Sequence, residues 1–147
     1  MRLYLDTSAL VKIYLEEEGA VLVRNAVERS QLVATSSIGY VEARAAFARR
    51  SREGVLSAQG YRAILQQFNA EWGRYLHLDV TDAIIMASGD IAEKYHLRAY
   101  DAIHLTSAIV LKNRLSARVV FASWDAALDV AARQIGLELL PKHPDPF

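Results

Sequence analysis

Short, continuously apolar stretches alternate along this chain with longer segments whose apolar positions recur at helical spacing. Leu3 to Leu5 reads as a buried strand, and Ser8 to Leu15 as a helix ending near Glu16-Glu17-Glu18-Gly19. A second helix is predicted from Ala20 to Arg29 and a strand over Leu32 to Thr35. Ser36-Ser37 then offers a serine N-cap to a helix reaching Arg52, which Gly54 stops. Ser57 caps a further helix to about Gly73, Tyr75 to Leu78 is a strand, and Thr81 starts a helix to about Tyr95. Asp101 opens the next helix, ending near Asn113. Arg118 to Phe121 as a strand, Trp124 to Gln134 as a helix closed by Gly136, and Leu137 to Leu140 as a last strand complete the order. Such alternation, with strands apolar on both faces, implies an α/β fold in which a parallel sheet is covered by helices on both sides.

At 147 residues and 52% hydrophobic composition the chain supports one domain, expected over 1–140, and is too short for two ordinary ones. The C-terminal tail, 141–147, holds all three prolines and is expected to trail along the surface. The lack of cysteine excludes a disulfide framework and a thiolate zinc site. No apolar run approaches the ~20 residues needed to span a bilayer. Met1-Arg2 leads directly into a strand rather than a secretory signal, so a cytoplasmic protein is expected. Seventeen basic residues balance seventeen acidic ones, so no global field advertises nucleic-acid binding. The local basic run, Arg44, Arg49, Arg50 and Arg52, reads equally as a phosphate or partner contact and as a solvated helix end complementing the helix dipole.

The acidic residues change the picture. Asp6 terminates the first strand, and Asp125 follows the Val119-Val120-Phe121 strand by a few residues, so both belong at the carboxyl edge of a parallel sheet, where such folds hold ligands. Glu42 shares a helical stripe with Ile38, Val41 and Ala45, a stripe expected to face the sheet. Asp101 stands at i−4 and i−7 from Leu105 and Ala108, again on a buried stripe. Taken singly, Asp6, Asp101 and Asp125 are explained as helix caps and Glu42 as a surface ion pair. Taken together, acids gathered at one rim repel and are costly to desolvate unless a cation is held there. Hard oxygen donors of this kind suit Mg2+ or Mn2+.

The stretches Leu5-Asp6-Thr7-Ser8-Ala9-Leu10-Val11-Lys12, Glu42-Ala43, Tyr100-Asp101-Ala102-Ile103-His104-Leu105 and Ser123-Trp124-Asp125 resemble the PIN-domain ribonucleases. Among these, the likeness is to the VapC-type toxins of toxin–antitoxin pairs, and it covers essentially the whole chain. Ser123 stands where the family usually has threonine, which keeps the hydroxyl. The resemblance implies a three-layer α/β/α fold, Mg2+- or Mn2+-dependent endonuclease activity on RNA, a homodimer, and inhibition by a small antitoxin protein. It also implies that Asp6, Glu42, Asp101 and Asp125 form an acidic quartet that is both catalytic and metal-binding, with Asp129 one turn beyond Asp125 as the competing last member. The expected division of labour has Asp6 and Asp101 on the metal directly, Glu42 joining them or polarising a water, and Asp125 completing the shell.

Thr7, Ser8 and Ser123 are expected auxiliaries, with ordinary N-capping the alternative for Thr7 and Ser8. His104 is read as structural, on the polar flank of its helix, and Lys12 and Arg98 as phosphate contacts or solvated surface. Tyr4, Tyr14, Tyr40 and Tyr100 are base-stacking candidates or packing residues. Phe47, Leu65 and Phe68 suggest a dimer or antitoxin groove. A haloacid dehalogenase-type phosphatase would need a second aspartate where Ser8 stands, and a receiver domain adjacent acids after the first strand. Two alternatives to a toxin remain: a PIN-like RNA-binding or regulatory scaffold without activity, and a stand-alone RNA-processing nuclease.

Overall fold

The computed structural model describes residues 1–142; residues 143–147, most of the expected tail, lie outside the described residues. The apolar triplet Leu3-Tyr4-Leu5 is completely buried, as a strand covered on both faces must be, and forms β1 (Arg2–Leu5). Further strands are β2 (Leu32–Ser36), β3 (Leu76–Leu78), β4 (Val120–Ala122) and β5 (Glu138–Leu139). Among the described residues these make a five-stranded sheet, ordered β3-β2-β1-β4-β5, and every pairing is parallel. The chain moves outward from β1 through β2 to β3, then returns to place β4 on the other side of β1. The order therefore reverses between β1 and β4, and the carboxyl end of that junction is the crevice where open parallel sheets bind ligands.

Seven helices occur among the described residues: α1 (Thr7–Leu10), α2 (Ala20–Arg29), α3 (Ile38–Arg52), α4 (Ala58–Trp72), α5 (Asp82–Tyr95), α6 (Ala99–Leu115) and α7 (Ala126–Gln134). The predicted first helix is shorter than its spacing suggested, because Val11–Ile13 tightens into a 3₁₀ turn. Side-chain alternation along β1 sorts the helices into two layers. Leu3 and Leu5 pack with Leu10, Val23, Phe47 and Phe68 from α1 to α4, while Tyr4 packs with Leu105, Leu111 and Leu128 from α6 and α7. The result is the expected three-layer α/β/α arrangement.

Phe47 and Phe68 are fully buried in the first of these cores, so they do not form the exposed groove their apolarity suggested. Tyr14 is buried there too, against both phenylalanine rings, and Tyr4 is buried in the other core and stacks on Phe121 at 5.6 Å. Tyr40 stacks on Phe68, which leaves Tyr100 as the exposed member of the tyrosine set. Lys12, expected at the surface, is buried: its ammonium donates to Glu17 (3.0 Å) and the Glu18 carbonyl (2.7 Å) and lies 4.9 Å from the centre of the Trp124 ring. Within the basic run, Arg49 pairs with Glu53, Arg50 with Glu17, and Arg44 donates to the Tyr40 hydroxyl. No helix among the described residues is long and apolar enough to cross a membrane.

Candidate metal centre

Asp6 leaves β1 in extended conformation (φ −73°, ψ 176°) and caps α1. Its backbone N–H donates to the Ala122 carbonyl (3.1 Å), a last rung between β1 and β4 that fixes the residue at the switch point. Oδ1 accepts from the Ala9 amide (2.9 Å) and the Ser8 hydroxyl (2.7 Å), and Ser8 in turn accepts from the Trp124 amide (2.8 Å). Ser8 is thus no N-cap; it ties the Asp6 carboxylate to the loop after β4. Asp6 is only 3% exposed, and burial pushes its carboxyl above the ordinary 3.8, against the opposing pull of His104, Ser8, the Ala9 amide and Ser123. Capping and a deeper role coexist here, because the cap uses one oxygen.

Glu42 does face inward, but not on the expected stripe. Gly39, Ala43 and Phe47 form the buried row of α3, whereas Val41 and Ala45 are exposed. Glu42 borders that row, and its Oε1 accepts from the Thr7 hydroxyl (2.7 Å) and meets His104 Nε2 (2.7 Å). His104 is not on a polar flank. Residues Ala102 to Ala108 are all buried, because α6 is enclosed by α5, α7 and the sheet, so that stretch has no polar side. His104 Nδ1 meets the Tyr4 hydroxyl at 2.9 Å and Nε2 lies 3.1 Å from Thr7 Oγ1. Both ring nitrogens are thereby engaged, Nδ1 by the Tyr4 hydroxyl and Nε2 by Glu42 and Thr7. Burial pushes the Glu42 carboxyl up, but the His104 hydrogen bond and charge and the Thr7 hydroxyl outweigh it, so the group lies below its ordinary value.

Asp101 and Asp125 are managed differently. α6 begins at Ala99, so Asp101 sits inside its first turn rather than opening it, and Arg98 is the capping position. The Arg98 guanidinium donates to both acids, Nε to Asp101 Oδ2 (3.1 Å) and a terminal nitrogen to Asp125 Oδ2 (2.9 Å). Asp125 also caps α7, accepting the Leu128 amide (2.9 Å) on Oδ1, and Ser123 accepts the Asp125 amide (3.0 Å). Asp129 points its charge elsewhere, to Lys142. Trp124, which links the loop to Ser8, packs over Gly19. A Cβ at Gly19 would stand 2.6 Å from the Trp124 ring, and its φ of +87° already requires glycine.

The fold therefore gathers the quartet at one rim as two units, Asp101 with Asp125 and Glu42 with His104, on either side of Asp6. Among the described residues no three acidic or histidine side chains are close enough to hold a metal ion as they stand. The donor set nonetheless fits a hard divalent cation: carboxylate and hydroxyl oxygens, an Asp6 carboxylate in no direct ion pair among the described residues, and an Asp101–Asp125 pair that already attracts one positive group. Sequence reasoning underrated His104 and Arg98. Their spacing from Asp101, i+3 and i−3, placed both beside it and was the available signal.

A PIN domain model matches residues 3–117. Ribonuclease VapC45 of Mycobacterium tuberculosis is 28% identical over 143 residues, covering 97% of each chain. Two solved structures share the fold: VapBC2 from Rickettsia felis bound to a promoter DNA fragment, and a toxin–antitoxin complex from Klebsiella pneumoniae. The first has a TM-score of 0.62 at 14% identity and covers 95% of this chain and 97% of that one. The second has a TM-score of 0.61 at 14% identity and covers 97% and 98%.

Proposed function

Because the chain belongs to the PIN domain family, we propose that it is a Mg2+- or Mn2+-dependent endoribonuclease and the toxin of a toxin–antitoxin pair. The observation that carries the chemistry is the buried Asp6 carboxylate at the switch point, with Glu42 and Asp125 brought in from the strands on either side of β1. Asp6 and Asp101 would be the principal ligands of such an ion, with Glu42 and Asp125 the further carboxylates at the same rim. A bound divalent ion supplies Lewis acidity toward the phosphodiester and a lowered pKa for the attacking water.

The remaining work falls to the chain. Glu42, kept ionised by His104 and Thr7, accepts the proton that water loses. Ser8 and Ser123 hold the Asp6 carboxylate against the β4 loop, and His104, fixed by Tyr4, sets the direction of Glu42. The relative named as a ribonuclease supports RNA as substrate. The toxin–antitoxin complex from Klebsiella pneumoniae supports a small antitoxin protein as partner. A homodimer and a cytoplasmic location complete the reading.

The test is cleavage of a panel of single-stranded and structured RNAs by the purified chain. Cutting is expected with Mg2+ or Mn2+, lost on chelation and lost in Asp6→Asn and Asp101→Asn. Metal-independent cutting, or RNA binding with no cutting under any metal, overturns it; the second result favours the scaffold.

A further inference from the structure

The acidic rim carries a cation of its own. We propose that Arg98 is an exchangeable occupant of the rim: it bridges Asp101 and Asp125 while no divalent ion is bound, releases them when one binds, and then engages a phosphate of the RNA. The identity of ion and substrate rests on the nuclease reading above.

The geometry supplies the reasons. Asp101 on α6 and Asp125 ahead of α7 carry like charges at one edge, and a single guanidinium reaches both through separate nitrogens. The acids are largely sheltered, with side chains 18% and 28% exposed, while Arg98 is 79% exposed, so the cation approaches from the solvent side. An ion pair this open to water costs little to break. A divalent ion competes for the same carboxylate oxygens with twice the charge, and hard oxygen is its preferred ligand. The two carboxylates cannot serve both cations fully.

Once displaced, the guanidinium stays tethered at the capping position of α6, beside the acids it has left. Its planar fork suits phosphate oxygens as well as carboxylates. Neighbouring cations are committed elsewhere: Lys12 to Glu17 and the Glu18 carbonyl, and Lys142 to Asp129. Among the described residues, Arg98 is the arginine whose ion-pair partners are the site acids themselves, so metal arrival and the freeing of a phosphate-binding group become one event.

Mn2+ titration of the RNA-free full chain by calorimetry tests the first half. Arg98→Gln should bind Mn2+ about two- to fivefold more tightly, the range an exposed ion pair is worth. Arg98→Lys should fall between it and wild type, because an ammonium keeps the charge but loses the two-pronged contact. Arg114→Gln makes the same charge change about 24 Å away along α6 and should leave affinity unchanged. Unchanged or weaker Mn2+ binding in Arg98→Gln overturns the exchange, and so does equal tightening in Arg114→Gln. Cleavage at saturating Mn2+ tests the second half: KM for RNA should rise about tenfold in Arg98→Gln, with kcat changed much less. An unchanged KM overturns the phosphate role. The metal arm uses no RNA, so its outcome is independent of whether the wild-type chain proves to be a nuclease.

Discussion

Glu42 and Asp125 flank Asp6 from opposite sides of the central strand, and the fold handles their charges in contrasting ways. On the β2 side, Glu42 is hydrogen-bonded to a histidine only 1% exposed, which is itself held by the buried Tyr4 hydroxyl. On the β4 side, Asp125 shares with Asp101 an arginine that is almost wholly in solvent. A low-dielectric, fully partnered network is stiff and costly to disturb, whereas a solvated ion pair is screened and cheap to open. One half of the rim is built to aim a carboxylate and the other to exchange its cation.

The sharpest test is Asp6→Asn, the residue between the halves. Cleavage should fall by more than about a hundredfold, beyond what a partner outside the ligand set costs. Metal-free stability should move the opposite way. Asp6 is raised above 3.8, so the folded state holds its proton to higher pH than the unfolded state does. Its contribution to stability therefore declines as pH rises from about 3.8 through the raised value. Asparagine keeps the cap and removes that cost, so thermal melts should show the variant more stable at neutral pH, with the gap closing in acid.

Removing His104 probes the stiff half. His104→Ala should destabilise the protein by about 2–4 kcal/mol, since it opens a cavity and strips partners from Tyr4 and Glu42. Tyr4→Phe should cost about 1–2 kcal/mol by leaving Nδ1 unpaired. Arg98→Gln, on the open half, should cost less than about 1 kcal/mol. Urea denaturation of the three variants measures all of these, and equal costs on both sides of Asp6 would erase the contrast.

The smallest effect is on the acid limb. Glu42 lies below its ordinary 4.5, so its contribution is complete above that value and is lost as pH falls through the lowered one. Glu42→Gln should flatten the decline of melting temperature below about pH 4.5 relative to wild type. A wild-type limb of unchanged slope in the variant would show that His104 and Thr7 do not favour the ionised form.

Several features were legible before any coordinates. The helix Ala20–Arg29 matches its prediction to the residue, and the caps at Ser57, Thr81 and Asp125 stand where the pattern put them. Glu42 was correctly expected to face inward, yet for a faulty reason: helical periodicity does not distinguish a row under the sheet from the row beside it, and small Gly39 and Ala43 take the closest contact. Phe47 and Phe68 looked too apolar for a lone domain because their cover, the ring of Tyr14 across the core, comes from a distant part of the chain. His104 and Lys12 were misplaced for a related reason. A polar side chain in a sequence reads as solvated until its buried partners are known, and those partners, Tyr4 and Glu42 for one, Glu17 and Trp124 for the other, are set by packing.

Local chemistry decided what the sequence could determine alone: alternation of strand and helix, a parallel sheet, acids at strand ends, and the family those motifs belong to. These follow from periodicity, capping and chain direction, which act over a few residues. Which oxygen meets which cation was left to the tertiary structure, because hydrogen bonds and ion pairs join residues as far apart as Tyr4 and His104, and their strength depends on burial that exists only once both helix layers close on the sheet.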